Sequence, residues 1–153
     1  MLPNGTKRIS LVWYKNTDLR LHDHLPLLTA HQTSDVVIHL MVIDPFWFHV
    51  KSRLLKLGKC GPARCKFLKE SIYDLRRNLN RLGSQLIIRH GQSVDVIPDI
   101  VHQYGVHEVH YHSEIHSEEQ SIVKAVKANC KKRWKQGLCR WVEFKEYWGG
   151  IAL

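Results

Sequence analysis

Residues 36–43 read Val36-Val37-Ile38-His39-Leu40-Met41-Val42-Ile43. Seven of these eight positions are apolar and five are β-branched. A strand with one wet face alternates apolar and polar residues. A run that is apolar on both parities fits a strand covered on both faces, as the strands of a parallel sheet are. Four further segments, 8–14, 85–89, 108–112 and 140–145, are short and rich in β-branched or aromatic residues, and read as strands.

Between the strands the pattern is helical. In 62–82, Leu68, Ile72, Leu75, Leu79 and Leu82 step by four, three, four and three, one apolar stripe with Lys69, Arg76, Arg77 and Arg81 outside it. Pro62 near its start and Gly83 just past its end suit helix entry and exit. Another helix is expected over 93–104, with one backbone bond broken in its early part by Pro98, which lacks an N–H. A further one begins at Ser117-Glu118-Glu119-Gln120, which reads as an S-x-x-Q capping box with two acids facing the helix dipole. An earlier helix is expected after Asp23, a residue suited to cap it. The order β-α-β-α-β-α-β-α-β with short links implies an α/β fold: a Rossmann-like, doubly wound, five-stranded parallel sheet in three αβα layers. The longest irregular stretch, 44–61, is of a length that usually serves function or an interface. No repeat or low-complexity tract divides the chain, and one domain over residues 8–150 is expected.

The totals agree. At 153 residues, 44% hydrophobic and 24% charged, the chain can bury one core and is neither disordered nor built around a membrane span. Its start lacks a secretory apolar segment, so an intracellular location is expected. Four cysteines, Cys60, Cys65, Cys130 and Cys139, form no C-x-x-C pair, and free thiols are the expectation in a reducing compartment. Cys130 falls on the apolar face of a helix. A net charge of +9 favours phosphates or an acidic partner, although a domain cut from a larger protein need not be balanced.

No G-x-G-x-x-G or P-loop follows the first strand, which argues against a dinucleotide cradle, and no Ser/His/Asp order or H-E-x-x-H appears. Among eleven histidines, His110 and His112 share one face of a strand, but no fixed spacing with a thiolate or carboxylate partner marks a metal site. Hydrogen-bonded histidines are the expectation, with neither a metal site nor a catalytic residue assigned. Ligands of open α/β sheets gather outside the carboxyl ends of the strands. There the chain places the acids Asp18, Asp23, Asp44, Glu114 and Glu118 and the rings Phe46, Trp47, Phe48 and Trp148. Rings with carboxylates suit a flat heterocycle whose N–H groups need acceptors.

The opening Leu11-Val12-Trp13-Tyr14 followed by Asp18-Leu19-Arg20-Leu21-His22-Asp23 resembles that of photolyases and cryptochromes. Gly61-Pro62-Ala63-Arg64, Phe67-Leu68-Lys69-Glu70-Ser71, Asp74-Leu75-Arg76-Arg77-Asn78-Leu79 and Leu86-Ile87-Ile88-Arg89-His90-Gly91 are similar to the DASH group in particular. So are Ile43-Asp44-Pro45, His112-Ser113-Glu114 with Ser117-Glu118-Glu119, and Tyr147-Trp148-Gly149-Gly150. The resemblance covers the chain in order from about Arg8. It departs at Thr17, an extra residue in the first loop; at Lys15, where the family has Arg; at His24, where it has Asn; and at Phe46, where it has Arg. It also ends at Leu153, where the family continues into a helical domain.

The resemblance implies an N-terminal domain that packs on a flavin-binding helical domain, the latter absent from this chain. The full-length proteins of the group are blue-light photoreceptors or enzymes of light-driven DNA repair that act on pyrimidine dimers. It further implies a folate antenna (methenyltetrahydrofolate) between the two domains, with Glu118 first and Glu114 second as acceptors for the pterin. FAD belongs to the other half and is not expected to bind this chain alone, nor is this chain expected to be active alone; DNA contact is expected only in the full-length context. Two other readings are a stand-alone binding module for nucleic acid or protein, and an inactive truncated product.

Overall fold

The computed structural model describes residues 7–49 and 60–148. Ten elements follow in order: β1 (Ile9–Tyr14), α1 (Leu25–Thr33), β2 (Val36–Ile43), α2 (Phe46–His49), α3 (Pro62–Arg81), β3 (Leu86–His90), α4 (Ser93–Tyr104), β4 (Glu108–His112), α5 (Ser117–Lys135) and β5 (Glu143–Tyr147). The five strands form one parallel sheet in the order β3-β2-β1-β4-β5. The chain moves outward from β1 in one direction and then, after β3, crosses back to the other side. The switch point lies between β1 and β4.

Strand alternation divides the core. Leu11, Trp13, Leu40, Val42, Val109 and Tyr111 face α4 and α5, meeting Ile97, Val101, Val126 and Cys130. Val12, Tyr14 and Met41 face the other way and meet Ala30 of α1 and Ile72, Leu75 and Leu79 of α3. Burying one such side chain contributes about 1.5–3 kcal/mol. The apolar run of β2 is therefore split between two layers, which is why it shows no alternation.

Several expectations are corrected. Leu68 is only partly buried, and Leu82 is 73% exposed. Leu82 is the C-cap of α3, where the chain leaves the helix: Gly83 turns at φ +78°, and Ser84 N–H donates back to Leu79 O at 3.0 Å. That six-to-one closure is a Schellman stop, and it swings Leu82 off the stripe. The last strand, expected at 140–145, runs at Glu143–Tyr147, because its register is set by pairing Glu108 with Glu143 and His112 with Tyr147. His116 precedes α5, and Ser117 is already helical, so the capping box does not form. Gln120 instead sends its amide back to the carbonyls of Glu114 and Ile115. The helix over 93–104 forms as expected with one backbone bond lost at Pro98, and Asn129 Nδ2 of α5 donates at 2.8 Å to Val94 O, the acceptor four residues before the proline. Part of the irregular stretch 44–61 forms α2; residues 50–59 lie outside the described residues.

Candidate functional site

The loop leaving β1 is organised by Asp18. Its Oδ1 accepts the Lys15 N–H at 2.6 Å, and Asp18 N–H reaches Lys15 O at 3.3 Å. Its Oδ2 lies 2.9 Å from His112 Nδ1 at the end of β4 and 3.4 Å from His24 Nε2. Burial alone would raise this carboxyl, but hydrogen bonding from His112 and His24 holds it below the ordinary carboxylate range. His24 also caps α1, its Nδ1 accepting Leu27 N–H at 3.1 Å. Asp23 is not that cap; it sits at φ +50°, its carbonyl held by the Arg20 guanidinium.

Ligand atoms of Asp18, His24 and His112 all lie within 4.8 Å of one another, a spacing that can hold a metal ion. The cap fixes the His24 tautomer, and Nε2 stands buried without a hydrogen bond that meets full geometry among the described residues. A neutral imidazole that accepts at Nδ1 carries its proton on Nε2, which then has no lone pair for a metal. His110 is likewise engaged, with Nδ1 3.0 Å from the Tyr147 hydroxyl and Nε2 3.3 Å from Glu108.

Asp44 is structural as well: its carboxylate accepts Phe46 N–H at 3.0 Å and Ser93 N–H at 2.8 Å, and so ties α2 to the start of α4. Phe46 and Trp47 pack edge to face, Phe48 is half-buried, and Trp148 is exposed.

Beside the switch point, a cavity of about 30 Å³ is lined by Lys15, Asn16, Trp47, Ser93, Glu119 and Ile122, among others. Lys15 Nζ stands 5.1 Å from the Trp13 ring centre and 5.0 Å from that of Tyr111. Burial lowers its pKa against the pull of Glu119, Glu114, Asp18 and Glu146. Burial, reinforced by Glu114, raises Glu119 to about 7. Lys15 Nζ and Glu119 Oε2 are both buried with no hydrogen-bond partner among the described residues. Such groups cost about 1–3 kcal/mol each unless a partner arrives. One small cavity is thus lined by a donor residue and an acceptor residue, with aromatic rings beside the donor.

Of the two acids expected there, Glu114 is half-buried, accepts the Thr17 hydroxyl and adjoins Glu119. Glu118 is exposed on the first turn of α5, one position away from the cavity-lining acid. Lys15 and Glu119 line the cavity but were not among the candidate site residues of the sequence. For Glu119 a signal existed: it precedes Ile122, Val123, Val126 and Cys130 by helical steps of three and four, which puts it on the inward face of α5. Lys15 gave none, since its burial depends on Trp13 and Tyr111 from two strands.

Residues 10–150 match the DNA photolyase family. The chain belongs to that family. Over 124 residues it is 43% identical to Cryptochrome DASH of Gloeobacter violaceus, covering 81% of this chain and 24% of that protein. The cryptochrome structure from Synechocystis sp. PCC6803 superposes with a TM-score of 0.79 at 31% identity, over 92% of this chain and 27% of that one. An archaeal photolyase from Sulfolobus tokodaii, whose structure holds two FAD molecules and implies a novel light-harvesting cofactor, shares the fold at a TM-score of 0.74 and 21% identity, covering 91% of this chain and 29% of that one. The photolyase-family chain described here therefore spans about a quarter of the length of its relatives and corresponds to their N-terminal α/β domain. No described helix is long and apolar enough to cross a membrane.

Proposed function

We propose that this chain is the antenna-chromophore and interaction domain of a DASH-type cryptochrome or photolyase, working inside the cell. Its carboxyl-end acids contact a folate, methenyltetrahydrofolate, at the boundary with a flavin-binding helical domain. The observation that carries this reading is a pair of buried atoms without a hydrogen-bond partner among the described residues, Lys15 Nζ and Glu119 Oε2, on residues that line one cavity at the switch point of the sheet. A pterin edge carries N–H donors beside ring acceptors, the complement of that pair. Glu114 adds an acceptor next to Glu119, and Glu118 offers one from the rim, where a charged acceptor makes the stronger hydrogen bond. The folate would supply light absorption; the protein supplies orientation and exclusion of water.

A volume of about 30 Å³ holds about one or two water molecules and not a pterin. The cavity is thus one wall of a cleft, and the second wall must come from the helical half. In full-length relatives that half holds the FAD, and light-driven repair or signalling depends on it. The test is to join this chain to the helical domain of a DASH relative, purify the product, and read its visible spectrum. A folate band that is present in the joined protein and absent from either half supports the reading. A joined protein that binds flavin but never folate contradicts it.

A further inference from the structure

Two thiols just before and inside α3 stand apart from the cavity described above. Cys60 Sγ and Cys65 Sγ are 3.1 Å apart. A disulfide bond is about 2.05 Å long, so an approach of about 1 Å would join them. The turn between them is already closed: Cys65 N–H donates to Gly61 O at 3.0 Å, and Cys65 Sγ lies 4.0 Å from Cys60 O. Among the described residues, its two chain neighbours aside, no atom lies within 4 Å of where a Cβ on Gly61 would stand, which leaves the turn room to adjust. Both residues are partly exposed, which leaves the pair within reach of a soluble oxidant.

We propose that Cys60 and Cys65 are a redox modification site, closing reversibly into an intramolecular disulfide at the head of α3. The oxidant class is a low-molecular-weight disulfide such as oxidised glutathione. The thiolate of one cysteine attacks a sulfur of the oxidant, forming a mixed disulfide and expelling one reduced thiolate. The second cysteine, as thiolate, then attacks the protein sulfur of that mixed disulfide and expels the other. Two protein thiols lose two protons and two electrons, and one oxidant disulfide becomes two thiols. A thiol reductant reverses both steps.

The remaining cysteines are less suited. Cys130 is buried, and burial together with the neighbouring Cys139 pushes its thiol up to about 12, which keeps it protonated and unreactive. Cys60 is also raised, by burial and by its contact with Cys65, against the pull of Arg64. Closure is therefore faster in alkaline solution than at neutral pH. The bond has a structural consequence nearby. Cys60, Arg64, Phe67 and Leu68 wall one side of a cavity of about 180 Å³ whose other side is Asn16, Trp47 and Phe48. Closure fixes the Cys60 edge of that cavity to α3.

Trypsin offers a direct reading, because it cuts after Lys59, Arg64 and Lys66. The reduced protein is incubated with oxidised glutathione, its remaining thiols are alkylated, and the digest is weighed. The expected product is a single species in which residues 60–64 and 65–66 travel together, lighter by two hydrogens than the separate peptides combined. It should vanish in Cys60→Ser and in Cys65→Ser, persist in Cys130→Ser, and disappear on adding dithiothreitol. Glutathione adducts on Cys60 and Cys65 separately, with no linked species, would overturn the proposal. So would a first bridge between Cys130 and Cys139.

Discussion

Asn129 of α5 donates to the carbonyl of Val94 in α4, the acceptor that Pro98 leaves without a helical partner. A proline inside a helix removes the N–H that would bond four residues back. Here a neighbouring helix replaces it, and the same bond fastens α4 to α5. Replacing Asn129 with Ala should cost about 1–2 kcal/mol, measured by urea unfolding. In a Pro98→Ala background residue 98 regains its N–H, so the same Asn129→Ala change should cost less. Equal costs in both backgrounds would show that the two residues are not coupled.

The stripe of α3 gives a contrast between two leucines. Leu75 is 2% exposed and packs against the β1 and β2 face of the sheet, whereas Leu82 is 73% exposed beyond the helix end. Leu75→Ala should cost about 2–5 kcal/mol through the cavity it leaves. Leu82→Ala should cost about 0.5 kcal/mol or less. A large loss at Leu82 would mean that it is covered.

His39 is buried in β2 among Tyr14, His24 and His31, with Tyr14 Oη 3.4 Å from Nδ1. Burial, then the neighbouring His31 and His24, lower its pKa to about 4 from 6.5. The folded state therefore holds fewer protons than the unfolded chain between those values. Stability is retained above about 6.5 and is lost as pH falls through about 4, by as much as about 3 kcal/mol from this residue. His39→Leu should flatten the dependence of unfolding free energy on pH across that window. An unchanged slope would place the acid sensitivity elsewhere, in His31 or His110.

Glu119 works in the opposite sense. Its folded value of about 7 lies above its ordinary 4.5, chiefly through burial and then through Glu114. The folded state holds the extra proton, so its stabilising effect is full at low pH and is lost as pH rises from about 4.5 to about 7. Glu119→Gln should melt above the wild type by a margin that widens between about pH 4 and about pH 8. A margin independent of pH would deny the shift.

Periodicity read the fold well where an element packs against the sheet. The bounds of β2, β4 and α4 come directly from the apolar pattern, and so does the buried Ile72-Leu75-Leu79 stripe. It failed where a residue's place depends on chain arriving from elsewhere. β5 takes its register from β4, Leu82 is turned out by the Gly83 stop, and His24 caps α1 in place of Asp23. The site divides the same way. Acids and rings at the strand ends were legible because the topology puts loops there, and Glu114 does border the cavity acid. Consecutive helical residues point about 100° apart, so Glu119 lines the cavity while Glu118 is exposed, a rotation no local pattern near the helix start displays. Lys15 came to line the cavity only once Trp13 and Tyr111 met across β1 and β4.

The most direct test of the antenna reading is folate content in the protein joined to a relative's helical domain, comparing Glu118→Gln, Glu119→Gln and Lys15→Met with Glu70→Gln. Glu70 is exposed on α3 and paired only loosely with Lys66, at 4.0 Å, so it serves as the control. Folate is measured per flavin by absorbance, with melting temperature as a check on folding. The account predicts that Glu70→Gln keeps its folate, while Glu119→Gln and Lys15→Met lose at least about tenfold in affinity, equivalent to about 1.4 kcal/mol, and Glu118→Gln loses less from its place at the rim. Full folate content in all four folded variants would contradict it.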